Sequence, residues 1–148
     1  MSFQARHALV NHANTLFQRQ SQRDDLLDVN MTQTELIALL LGLANKGHII
    51  LFTAVHADHH NDCALGLHSH SNGYAADVWF QKTRSITDYL DAESPEFLRA
   101  LADAAKSPWL YQIGIAGSAN TLSDHEAAGP TAFADGGADH IHLGAGNE

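Results

Sequence analysis

A single cysteine, Cys63, excludes an internal disulfide, so no covalent staple holds this chain and its redox compartment is not set by thiol usage. Basic residues are few. Eight Lys and Arg stand against seventeen Asp and Glu, a formal charge of -9 that repels a phosphate backbone, and no local basic patch offsets it; a nucleic-acid partner is not expected. Long apolar runs are missing as well: the longest, around Leu36 to Ala44, falls well short of the roughly 20 residues that cross a bilayer, so no membrane partner is expected either. The opening MSFQARHALVNHANTLFQRQ has no continuous hydrophobic segment ahead of a small-residue cleavage site, and a protein made in the cytoplasm without a secretory signal is expected. Internal repeats are absent.

What remains is a chain of 148 residues, 45% hydrophobic and 17% charged, within the range of one domain (1–148) that buries its own core. Residues 1–30 read as an N-terminal helix, with Ala8, Leu9, Ala13 and Leu16 at helical spacing, followed by a polar connector QRQSQRDD; 31–148 read as the core. Thr32 and Glu35 have the spacing of a capping box ahead of ELIALLLGLANKG, which predicts a helix from Thr32 to Lys46 ended at Gly47. Ser94-Pro95-Glu96 predicts a second helix start, running into FLRALADAAK. Strands are expected at His48–Val55, Tyr74–Phe80, Trp109–Ile115 and His140–Leu143, with polar loops over 56–73 and from Ile115 to about Gly137. Helices and strands in blocks point to an α+β fold, a largely antiparallel sheet flanked by helices.

Seven of the eleven histidines fall in two stretches, His56 to His70 and His140 to His142, and histidine is the commonest metal ligand. Between them lies His70-Ser-Asn-Gly73-Tyr-Ala75-Ala-Asp77, of the form H-x-x-G-x-A-x-D. Gly73 permits a sharp turn, so a histidine before it and an aspartate on the strand after it can reach one point. Alternation puts Ala75, Asp77 and Trp79 on one strand face, with Ala75 small enough to leave room beside an ion. A third ligand can come from His140-Ile141-His142, whose imidazoles share one side of a strand. Two His and one carboxylate leave the fourth position of a tetrahedral zinc (Zn2+) open, the arrangement of a catalytic site.

H-x-x-G-x-A-x-D followed by a late H-x-H resembles the zinc peptidases that include D-alanyl-D-alanine carboxypeptidases, phage endolysin L-alanyl-D-glutamate peptidases and the Hedgehog signalling domain. The likeness covers about Ile50 to Gly144, including FTAVHADHHND as a threonine-bearing strand and variable loop, and is specific over some twenty residues. It implies a Hedgehog/DD-peptidase-like fold with His70, Asp77 and His142 as zinc ligands and His140 beside them, placed to bind the transition state. It further implies hydrolysis of a peptide bond in peptidoglycan stem peptides by an enzyme that acts on the cell wall after release, or is carried on a virion.

Three positions depart from the pattern. Relatives carry a serine two residues before the first ligand; here it is His68, which alters a substrate contact or adds a ligand, and Tyr74 is a further expected substrate contact. An upstream arginine that holds the substrate is missing between Arg23 and Arg84, leaving its role vacant or passing it to Lys46 or a histidine. The general base, a Glu three residues before the last ligand in many relatives, is Asp139 here. In the implied mechanism zinc lowers the pKa of its water to about 7, Asp139 takes the proton and returns it to the leaving amine, and His140 stabilises the oxyanion. Asp135 is the alternative base, although its DGG context reads as a turn. His56, His59, His60 and His68 read as a solvated loop in preference to a second metal site, and Trp79 and Trp109 as core or pocket wall. A different class of function, a non-catalytic zinc-bearing module of a phage particle or secretion device, fits the same motif.

Overall fold

A computed structural model describes residues 2–56, 72–80, 95–116, 132–135 and 141–146. Their elements run α1 (Ser2–Val10), β1 (Thr15–Phe17), α2 (Gln20–Leu27), α3 (Thr34–Asn45), β2 (Ile50–Ala54), β3 (Ala75–Trp79), α4 (Pro95–Lys106), β4 (Leu110–Ala116), β5 (Ala132–Asp135) and β6 (Ile141–Ala145). The fold is α+β.

The strands form one sheet in the order β1-β2-β3-β6-β4-β5. The three central pairings are antiparallel, and β1 on β2 and β5 on β4 are parallel at the two edges. Alternation divides the central strands between two faces. Ile50, Phe52, Ala76, Val78, Ile141, Leu143, Ala145 and Ile113 join the hydrophobic core with Leu9 of α1, Leu26 of α2, six residues of α3 and three of α4. The opposite face carries Leu51, Ala75, Asp77, Trp79 and His142, each of them buried as well.

α3 forms because Leu36, Leu39, Leu40 and Leu43 recur at three- and four-residue spacing and bury one stripe against the sheet. Its end is a Schellman turn: Gly47 adopts φ +97, its N–H donates to Ala44 O, and the His48 N–H donates to Leu43 O. His48 is thereby spent on the cap, so the strand expected from His48 begins at Ile50. The capping box expected at Thr32 and Glu35 does not form. Gln33 is the N-cap and makes no side-chain cap bond, while the Thr32 hydroxyl is buried and donates 2.9 Å to Asp25 O. Pro95 does open α4, with Glu96 in the first turn and Lys106 in the last; Ser94 lies outside the described residues.

The N-terminal helix, expected to include Ala13 and Leu16, ends at Val10, with Leu16 in β1, and the polar connector expected after it is instead mostly α2. Three residues are too few for a periodic signal, and β1 exists because Thr15–Phe17 pairs with Ile50–Phe52, with Phe17 and Phe52 stacked at 5.0 Å. α2 is almost wholly polar and hides its signal differently. Gln22 is buried and its Oε1 accepts from the Gln18 and Arg19 N–H groups at 3.0 Å, while Leu26 anchors the helix in the core. Residues 1–30 are therefore structurally part of the same unit. In the stretch expected as loop before Gly137, Ala132–Asp135 pairs with Ile113–Ala116 as an edge strand.

Candidate metal centre

Asp77 of β3 and His142 of β6 are direct cross-strand partners. Their side chains leave the same face of the sheet, and His142 Nδ1 lies 3.3 Å from Asp77 Oδ1 with both groups buried, at 1% and 4% exposure. Burying a carboxylate and an imidazole is costly unless each meets a charge or a hydrogen-bonding partner, and here they meet each other.

The surroundings are small. A β-bulge between Phe52 and Ala54 brings Ala54 opposite Asp77, and Gly114 of β4 stands opposite His142 on the other side. In the next row Ala75 faces Gly144. The pair thus rises from a floor of Ala54, Ala75, Gly114 and Gly144, where larger side chains would fill the space beside it. Trp79 and Leu51, partners across β3 and β2, stand on the same face. The expected single-face set of Ala75, Asp77 and Trp79 is what the strand presents.

Gly73 opens the way to this arrangement. It has φ +80 and is buried, and a Cβ there would lie 2.4 Å from Met31 O, so both conformation and space demand glycine. The turn is seated on the segment between α2 and α3, where Gln33 N–H donates 2.9 Å to Gly73 O. Arg6 holds that segment from α1. Buried at 2% exposure, its Nη1 donates to Leu26 O at 2.8 Å and to Thr32 Oγ1 at 2.7 Å, and its Nη2 to Thr32 O at 2.5 Å. Burial pulls the guanidinium below its ordinary value, and the Asp28 charge opposes the shift.

The donor set suits zinc. Bonds of about 2.0–2.1 Å at a tetrahedral angle put neighbouring donor atoms about 3.3 Å apart, the separation across which His142 Nδ1 faces Asp77 Oδ1. Among the described residues no third His, Cys, Asp or Glu joins the two. His70, the third expected ligand, lies outside the described residues, as do His68, Asp139, His140, His59 and His60. Tyr74 is half-buried just before β3, its carbonyl accepting 2.7 Å from the Ala145 N–H.

No protein-family model matches the chain, and no curated protein does.

Two sequence expectations shift. Lys46, a stand-in for the missing arginine, ends α3 in the helical layer, where its Nζ lies 3.8 Å from Asp103 and on the other side of the sheet from Asp77. Asp135, expected in a turn, ends β5 instead, with β4 between it and β6; two strand spacings put its backbone on the order of 10 Å from that of His142. The small-residue floor and the Arg6 network escaped the sequence reading. Gly114 and Gly144 inside strands were a usable signal, because a strand glycine marks close approach. Arg6 had none.

Proposed function

We propose that the protein is a zinc-dependent peptidase of the Hedgehog/DD-peptidase type that hydrolyses a peptide bond in peptidoglycan stem peptides. The observation that carries this reading is the buried Asp77–His142 pair, set 3.3 Å apart on a floor of small residues directly after the Gly73 turn of H-x-x-G-x-A-x-D. A buried ion pair alone does not need that floor or a histidine three residues ahead of a compulsory glycine. A catalytic centre uses both.

His70, Asp77 and His142 hold the ion in this reading. When bound, zinc supplies a water of pKa about 7 and polarises the scissile carbonyl. Asp139 accepts the water's proton and delivers it to the leaving amine, and His140 donates a hydrogen bond to the developing oxyanion. Asp77 and His142 are held in place by the β3–β6 ladder on either side of them, so little reorganisation is needed to bind the ion.

Mass spectrometry of muropeptides from purified cell walls incubated with zinc-loaded protein tests this, because new termini name the bond that is cut. Asp77→Ala or His70→Ala is expected to lose zinc, whereas Asp139→Ala keeps zinc and loses hydrolysis by about 10²–10⁴-fold. Stoichiometric zinc with intact walls at every pH tried would replace the peptidase by the non-catalytic zinc-bearing module. Absence of zinc binding would end both.

A further inference from the structure

We propose that Arg6 is a positioning residue for the metal centre, acting from α1 through the segment between α2 and α3 on the Gly73 turn. The proposal rests on the zinc reading above but adds a residue far from the motif in sequence.

Three observations join into one path. First, the Arg6 guanidinium is buried and gathers Leu26 O, Thr32 O and Thr32 Oγ1, with Nη1 also 3.3 Å from Asp28 O. These acceptors span both ends of the segment linking α2 to α3, so one rigid planar fork sets its curvature. Second, the Thr32 hydroxyl relays to Asp25 O at 2.9 Å, which ties the segment to the last turn of α2. Third, the other side of the segment is the seat of the Gly73 turn: Met31 O and Thr32 Cα approach where a side chain on Gly73 would stand, and Gln33 N–H closes on Gly73 O. Asp77 follows Gly73 by four residues and lies in the strand that the turn leads into, so a displacement of the seat passes to it.

The packing core does not require this arginine. A leucine-like side chain would fill the same depth, whereas a buried guanidinium is desolvated, and its Nε finds no partner among the described residues. What the charge adds is simultaneous grip on carbonyls that no apolar side chain can hold. Partners that hydrogen-bond a metal ligand directly alter metal affinity by about 10–100-fold, which bounds from above the effect of an arginine acting through the turn.

The test compares wild type, Arg6→Met, Thr32→Val and a control, Leu101→Ala, which opens a cavity in α4 on the helical side. Thr32→Val removes one acceptor and leaves the guanidinium in place, and it serves where Arg6→Met does not fold. Three readouts are taken on the folded proteins: hydrogen exchange at the Gln33 amide without metal, zinc affinity, and the d–d spectrum of the cobalt-loaded form. Arg6→Met and Thr32→Val are expected to accelerate Gln33 exchange at least about tenfold relative to the β3–β6 amides, to weaken zinc by up to about tenfold, and to shift the cobalt bands. Leu101→Ala should leave all three as in wild type. Equal effects from Leu101→Ala, or unchanged Gln33 exchange in Arg6→Met, overturn the proposal. Wild type that binds no zinc defeats the peptidase reading and the metal half of this one, while Gln33 exchange still decides whether Arg6 holds the turn.

Discussion

Two constraints meet at Gly73, and they are separable by mutation. The positive φ disfavours any L side chain by about 1–2 kcal/mol, and the Met31 carbonyl, 2.4 Å from where a Cβ would sit, forbids it on space alone. Because the obstructing atom is backbone, relief requires the α2–α3 segment to move. Gly73→Ala is expected to lower stability by more than about 2 kcal/mol in urea unfolding. A loss no larger than that of an ordinary surface glycine would show that the seat yields. Asp77 stood out in the motif as a candidate ligand, and β3 places it buried on the face that it shares with His142. Spacing alone suited either histidine of the H-x-H pair, the resemblance named His142, and the register between β3 and β6 brings His142 opposite Asp77.

Among the elements, those with a strong apolar period were legible and those without were not. α3 and α4 announce themselves by stripes of leucine and alanine, by Gly47 at one end and Pro95 at the other. β1, α2 and β5 carry short or polar sequences, and each is an element because a neighbour completes it. Where α3 ends, its cap is joined to α4 by His48 and Asp103, Nε2 to Oδ2 at 2.5 Å. That hydrogen bond, chiefly, holds the Asp103 carboxyl below its ordinary value; burial opposes the shift, and Lys46 and Lys106 add to it. A carboxyl with a depressed folded value binds its proton more tightly when unfolded. Its stabilisation is therefore complete above about pH 5 and declines as pH falls past the unfolded value of about 3.9 and through the lower folded one. Asp103→Asn should flatten the acid limb of the stability-against-pH curve and leave the alkaline side unchanged. An identical acid limb in the variant would show that other carboxylates dominate it.

Across the whole molecule, the division of the chain into an appended N-terminal segment and a core does not hold. β1 extends the sheet, and Leu9, Val10 and Leu26 are fully or almost fully buried in the common core. Each such side chain contributes about 1.5–3 kcal/mol on burial, together comparable with the 5–15 kcal/mol that separates folded from unfolded domains of this size. Deleting residues 2–31 would also expose the β2 edge and remove Arg6. The shortened chain is expected to show no cooperative thermal transition by circular dichroism; a sharp transition would restore the appended-segment view.

Composition and periodicity pointed by themselves to an α+β fold, to helices from Thr32 to Lys46 and from Pro95 onward, and to the Gly73 motif and the H-x-H pair as the candidate site. Those are local properties: apolar spacing, cap residues and the few residue types that bind metals. Tertiary structure decided which histidine faces Asp77, that alanine and glycine from three other strand positions and Ala75 make the floor around them, and that an arginine from the first helix steadies the turn. Each of these depends on strand register or on packing between segments distant in sequence, and no short window of residues encodes either.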